Sequence, residues 1–320
     1  MNGMTFRPGI SIVIPLYNKA STIQHTISSV LSQTIQNFEL IIVDGNSTDG
    51  SFEIAANIND PRIVLFKQHG KGISPARNQG VEKASADIVA FLDADDTWEP
   101  NFLETILQLT EKYPNAGMYG TAFAVCRNNN PLRTVVLDTD DGGALISYFS
   151  DFTEAGHPII ITSAFAVRKS AFLAVGGYSE TLRVGEDHDL FGKLALQYLV
   201  AYSPKVCSCY NLASENNTDT VDYVLEVPLE EYLTEHNLCK EAEEKTGFPE
   251  YLDHWRIRTG GRNIYSGFRK EGRGQIQKVS TKQSLLLKYG FLIASYLSLP
   301  YKALSANFVR KVLRILHMSI

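Results

Sequence analysis

The feature that most limits what this chain can fold into is a rhythm in its first hundred residues. Short, almost wholly apolar runs rich in β-branched residues recur at 10–15, 38–43, 63–66 and 88–92, interrupted only by Ser11, Glu39 and Asp87-flanking turns. Between them lie segments with helical spacing. Ser21-Thr22-Ile23-Gln24 has the form of a capping box, and Ile23, Ile27, Val30 and Leu31 follow on one face. Phe52, Ile54, Ala55 and Ile58 suggest a second helix, residues 75–84 a third, and Pro100 suits the first turn of a fourth. Strands this apolar must be covered on both faces, so the pattern predicts an α/β fold with a mainly parallel central sheet flanked by helices. At 320 residues and 44% hydrophobic, the chain can bury one large core and an appendage. From about Ala213 the texture becomes helical, with helices expected over 229–245 and 251–270, giving an α/β domain at 1–210 and a helical C-terminal extension at 211–320.

The four cysteines, Cys126, Cys207, Cys209 and Cys239, show no C-x-x-C spacing and are too few to staple such a chain, so they are expected as reduced thiols. Residues 1–9 contain no apolar leader, and nowhere do about 18 apolar residues run together. The expected location is therefore the cytoplasm. Charge divides unevenly: residues 1–271 carry a net −13 and the remainder +8, with no acid after Glu271. Within that tail, residues 289–301 are uncharged but too short and broken to span a bilayer. From Lys302, the residues Leu304, Phe308, Val312 and Ile315 recur at helical spacing opposite Arg310, Lys311 and Arg314. Such a basic amphipathic helix suits an anionic membrane surface at the inner face of the cell membrane, or docking on the rest of the chain. It carries no nucleic-acid-binding motif, so no nucleic-acid partner is expected.

In doubly wound sheets, ligands gather at the carboxyl ends of the strands, where helix N-termini and free amides collect. The polar clusters after the first, second and fourth strands are thus the candidate site. Asp93-Ala94-Asp95-Asp96 brings three carboxylates to the end of one strand, and acids packed so closely call for a hard cation such as Mn²⁺ or Mg²⁺. Alternatively, Asp96 or Thr97 caps a following helix. Asp44 ends its strand where a carboxylate can accept from a ribose or a base N–H. Gly70-Lys71-Gly72 and Ala76-Arg77-Asn78 set glycines and cations where a diphosphate could approach. Gly177-Tyr178, followed by Gly185-Glu186-Asp187, joins a glycine turn to an acid-rich helix start, which suits either the helix dipole or a general base.

Taken in order, these segments resemble the family 2 glycosyltransferases of the GT-A fold. The matching stretches are Ile12-Val13-Ile14-Pro15-Leu16-Tyr17-Asn18, Ile42-Val43-Asp44 with Gly45 to Gly50, Ala76-Arg77-Asn78, Asp93-Ala94-Asp95-Asp96, and Gly177-Tyr178 to Glu186-Asp187. Gly45-Asn46 stands where many relatives have Asp-Gly. The resemblance implies an inverting transfer of sugar from a nucleotide-diphosphate donor, a UDP-sugar, to the hydroxyl of a glycan or lipid-linked glycan in cell-surface polysaccharide or glycolipid biosynthesis. It implies that Pro15 and Asp44 hold the nucleotide base, that Asp93 meets the ribose, that Tyr17, Asn18 and Ala94 also contact the nucleotide sugar, and that Asp95 binds the metal. Lys71, Arg77 and Asn78 would face the diphosphate, Asp187 would be the base, and Gly177, Tyr178 and Glu186 would line the acceptor side. Two other readings stand beside it. Asp93-x-Asp95-x-Thr97 also fits the nucleophile motif of haloacid dehalogenase-like phosphatases, and a silent sugar-nucleotide-binding protein would keep the same acids.

Overall fold

The structure, a computed structural model, describes residues 8–212 and 223–296. The chain divides into two compact units, one of residues 1–151 with 155–215 and one of residues 152–154 with 216–320.

In the first unit the expected alternation is present: β1 (Ile10–Leu16), α1 (Ile23–Leu31), β2 (Phe38–Asp44), α2 (Ser51–Ala56), β3 (Ile63–Lys67), α3 (Ile73–Lys83) and β4 (Ile88–Phe91). There follow β5 (Thr97–Trp98), α4 (Phe102–Lys112), β6 (Ala116–Arg127), β7 (Asn130–Val135), β8 (Ala144–Ile146), α5 (Tyr148–Ala155), β9 (Phe165–Arg168), α6 (Lys169–Ala174), α7 (Glu186–Gln197) and β10 (Leu199–Asn211). The strands form one sheet in the order β3-β2-β1-β4-β9-β6-β10-β5, with β7 on β6 and β8 on β10. Pairing is parallel among β3, β2, β1 and β4 and between β6 and β10. The antiparallel β9 sits between β4 and β6, so the sheet is mostly but not wholly parallel.

Alternation along β1 explains why both faces are covered. Ile10, Ile12 and Ile14 are fully buried in a cluster with Ile23, Ile27 and Val30 of α1 and Phe102, Leu103 and Ile106 of α4. Val13 points the other way, against α3, and a Cβ on Gly80 would come within 2.3 Å of its Cγ1. Gly80 therefore lets α3 lie directly on β1, which fixes the height of Arg77 and Asn78 one turn earlier. Farther along that face, Phe91 stacks on Phe165 and meets Tyr178 edge-on.

Four local expectations give way. The capping box does not form: Thr22 is the N-cap of α1, its hydroxyl donates to the Ala94 carbonyl, and it accepts no N–H from its own helix. Pro100 lies ahead of α4, which opens at Phe102, and Asp96 is buried in the sheet's end and caps no helix. Cys126 and Cys209 are joined in a disulfide, against the expectation of four reduced thiols, while Cys207 and Cys239 are free. The partners lie 83 residues apart on β6 and β10, so only the pairing of those strands brings them together.

The second unit is helical, with α8 (Leu229–Glu235), α9 (Cys239–Glu244), α10 (Phe248–Tyr265), α11 (Arg269–Gln277) and α12 (Leu285–Tyr296). The two long helices expected here are each broken, one at Asn237 (φ 54°) and one at Gly267 (φ 99°), both in the left-handed region that ends a helix. At its centre the buried Asn263 both donates to and accepts from the Leu225 main chain, and Phe152 packs against Tyr251 and His254. Among the described residues no helix is long and apolar enough to cross a membrane. The basic segment from Lys302 lies outside the described residues.

Candidate active site

The loop after β1 and the loop after β2 are laced into one platform. The Asp44 carboxylate, fully buried, accepts the backbone N–H groups of Asn46 and Ser47. Asn18 takes a left-handed φ of 51°, donates its N–H to Ser47 Oγ, and accepts the Thr48 N–H on its side chain. The Lys19 N–H donates to Ser51 Oγ and that of Ala20 to Asp49. Asp49 is also bonded by Ser51, and its carboxyl lies below the usual range because these donors outweigh its slight burial. Pro15 is buried at the end of β1, two residues beyond the last β1–β4 pair, Val13–Phe91, where its missing N–H leaves the ladder without a donor. Tyr17 stands exposed at the lip of this platform.

The turn from Asp93 to Asp96, just past β4, is held from beneath. Thr22 and Thr26 donate to the Ala94 carbonyl, Thr26 also to that of Asp96, and Asn211 Nδ2 to that of Asp95. Asp96 accepts Ser163 Oγ at 2.6 Å and the Asn211 N–H at 2.8 Å. Burial, and then the charges of Asp93 and Asp95, push its carboxyl well above the ordinary range in spite of those donors. The third acid of the cluster thus anchors the turn, while Asp93 and Asp95 remain partly open. Asp95 Oδ2 lies 2.6 Å from the Lys19 ammonium.

Arg77 connects this cluster to the next. Its side chain is only 2% exposed. One terminal nitrogen reaches Asp93 at 2.7 Å, the other Glu186 at 2.9 Å, and the guanidinium stands over the Tyr178 ring at 4.9 Å. Burial opposes its charge, but Asp93 leads a set of neighbours that outweigh this and raise its pKa. The sequence reading put Arg77 on the departing diphosphate. In the structure the guanidinium is enclosed between two carboxylates, Asp93 and Glu186, against the Tyr178 ring. Asn78, also expected by the diphosphate, gives its amide to the main chain of Tyr178, donating to its carbonyl and accepting its N–H. The turn there needs glycine: Gly177 has φ 68°, and a Cβ would sit 2.8 Å from Phe172 and 2.9 Å from Asn78.

α7 starts on Gly185 (φ 85°) with no side-chain cap, and presents Glu186 and Asp187 in its first turn. Glu186 is 13% exposed and bound to Arg77, and its carboxyl is raised by burial and then by Asp187, with Arg77 opposing. Asp187 is 27% exposed and accepts the His188 N–H. Lys71 is exposed on the β3–α3 loop, at the outer end of the same edge. Asp93, Arg77 and Glu186 are joined directly, Asp95 and Asp187 adjoin them in sequence, Asp44 lies in the neighbouring platform, and Lys71 is on an exposed loop. Three contributors were not foreseen: Lys19; Ser163 with Asn211 beneath Asp96; and Tyr210, whose hydroxyl pKa is raised by burial and then by Asp96, Asp93, Asp95 and Asp187. Among the described residues no three acids, histidines or cysteines are grouped closely enough to enclose a metal by themselves.

Residues 11–175 match the family model "Glycosyl transferase family 2". The chain is 38% identical over 122 residues to the UDP-Glc:alpha-D-GlcNAc-diphosphoundecaprenol beta-1,3-glucosyltransferase WfgD of Escherichia coli, an overlap of 38% of this chain and 48% of that protein. It thus spans about half the length of that relative. In fold it is similar to TarS 1-349 of S. aureus, solved with UDP-GlcNAc, at a TM-score of 0.67 and 14% identity over 94% of this chain and 92% of the other. The mannosyltransferase PcManGT of Pyrobaculum calidifontis, solved with GDP-Man and Mn²⁺, is similar at a TM-score of 0.51 and 17% identity over 99% and 77%. These likenesses agree with the GT-A fold, and none supports the phosphatase or silent-binder alternatives.

Proposed function

Because this chain belongs to glycosyl transferase family 2, we propose that it transfers a hexose from a UDP-sugar, with inversion, to a hydroxyl of a lipid-linked or polysaccharide acceptor. The observation that carries this reading is the Arg77 bridge, which sets the strand-end acid Asp93 and the helix-start acids Glu186 and Asp187 side by side on one edge. In this reading Pro15, Tyr17, Asn18 and Asp44 hold the nucleoside, Asp93 and Ala94 the ribose, and Lys71 a phosphate oxygen. Gly177, Tyr178 and Glu186 shape the acceptor side. Glu186 is held by Arg77, and Asp187, the more open of the two at 27% against 13% exposed, takes the acceptor's proton as its oxygen attacks.

The residues fit a divalent ion. Asp95 offers hard oxygen, an ammonium already stands against it in the place of a cation, and a site with one or two protein carboxylates relies on substrate phosphates for the rest. Asp95, with Asp93 beside it, would hold Mn²⁺ or Mg²⁺, which would offset the charge developing on the leaving diphosphate. The WfgD name supports UDP-glucose as donor class and a sugar on a diphospho-lipid as acceptor.

Thermal unfolding with a panel of nucleotide sugars tests the donor assignment. With Mn²⁺ present, a UDP-hexose at a hundred times its Kd should add about 2.7 kcal/mol. Equal stabilisation by GDP- or dTDP-sugars would remove the UDP assignment, and none from any donor would remove the transferase reading. We also place the chain at the inner face of the membrane through its basic residues after Glu271, each worth about 1 kcal/mol near anionic lipid. Flotation with anionic liposomes should fall on truncation before Lys302 and in high salt. Equal recovery of full-length and truncated chain would oppose the assignment.

A further inference from the structure

Lys19 belongs to none of the motifs that led to the site, yet it makes the closest ion pair within it. Its ammonium lies 2.6 Å from Asp95 Oδ2, with the two side chains 18% and 16% exposed. Its backbone is fixed on both sides. The N–H donates to Ser51 Oγ, and the carbonyl accepts the Thr22 and Ile23 N–H groups as α1 begins. Asp95 is fixed as well, since the carbonyls at Ala94, Asp95 and Asp96 are all bonded from α1 or Asn211. Between two anchored main chains, the four-carbon stem of Lys19 is the part free to move.

Resting on the reading of Asp95 as the metal-holding carboxylate, we infer that Lys19 is the resident counter-ion of that carboxylate. It neutralises Asp95 while no donor is bound, competes with the divalent ion for it, and passes to the donor's diphosphate when displaced. The physical basis is elementary. Two cations on one carboxylate repel each other, and the repulsion is strong where water is scarce. An ammonium displaced from Asp95 would stay close to the donor's diphosphate, and a lysine binds phosphate well as a point charge. Without Lys19, Asp95 would be a bare carboxylate beside Asp93 and Asp96, and their mutual repulsion would act on the unliganded protein.

The exchange predicts two shifts of opposite sign in one variant, which a purely structural role would not give. In calorimetry on the full chain with Mn²⁺ alone, Lys19→Met should bind the ion roughly three- to tenfold more tightly, since it no longer competes with a partly buried ion pair. In saturating Mn²⁺, the same variant should bind UDP roughly tenfold more weakly, for want of one charge-assisted contact. Lys19→Arg keeps the charge and should stay within about twofold of the parent in the Mn²⁺ titration. Unchanged or weaker Mn²⁺ binding by Lys19→Met, or tightening by Lys19→Arg as great as by Lys19→Met, would overturn the role of Lys19. Asp95→Asn separates this from the underlying reading. If it abolishes Mn²⁺ binding while Lys19→Met changes nothing, Asp95 holds the ion and Lys19 does not compete. If Asp95→Asn binds Mn²⁺ as the parent does, the metal assignment fails, and the counter-ion role with it.

Discussion

Replacing Arg77 with methionine is expected to cost the fold about 3 kcal/mol at neutral pH. Removing one partner of a buried ion pair leaves uncompensated charge and typically costs 3–5 kcal/mol. The lower end applies here, because both partners of Arg77, Asp93 and Glu186, retain some contact with water. Methionine fills much of the space beneath Tyr178 but offers nothing to either carboxylate. The loss should also depend on pH. In the parent, burial and the charge of Asp187 already hold the Glu186 carboxyl above its ordinary range, and Arg77 opposes them. Without Arg77 it rises further, so the folded variant holds that proton more tightly than the unfolded chain does. The resulting stability is present below the unfolded pKa and is lost as pH climbs through the raised folded value. Denaturant titration should therefore show a smaller deficit at about pH 5 than at about pH 8. A variant within about 0.5 kcal/mol of the parent at the higher pH would mean that the bridge is not held in solution.

The α/β half was legible because the burial of each strand is written locally. β1, β2 and β3 are found within a residue of where β-branched runs place them; β1 and β2 are covered on both faces and admit almost no polar residue, while β3 is a half-exposed edge strand that keeps the same apolar run. The second half of that unit was not legible. β6, β9 and β10 mix directions around an inserted antiparallel strand, and their identity depends on partners 40 to 90 residues away. The Cys126–Cys209 bond is invisible for the same reason. At the site, residue types were readable but not their assignments. Asp93, Asp95 and Asp96 read alike as a cluster, yet one buried serine hydroxyl and one backbone N–H make Asp96 an anchor. Arg77 read as a phosphate ligand because an arginine on a helix start is usually solvated. What encloses it is Asp93, Glu186 and Tyr178, the last two brought in from α7 and the turn before it, far away in sequence. The helix breaks at Asn237 and Gly267 were masked because the hydrophobic spacing continues through them.

In the proposed transfer, Asp187 is the base. Asparagine at this position keeps the size of the side chain and an oxygen able to accept the His188 N–H, but it cannot take a proton. A helix-capping role is already disfavoured, since α7 begins on Gly185 with no side-chain cap. The most direct measurement is therefore turnover of Asp187→Asn with a UDP-hexose and acceptor, made alongside calorimetry of UDP and Mn²⁺ on the same preparation. If Asp187 is the base, affinity should stay near that of the parent while turnover falls by roughly 10²–10⁴. Transfer at nearly the parental rate would contradict the account.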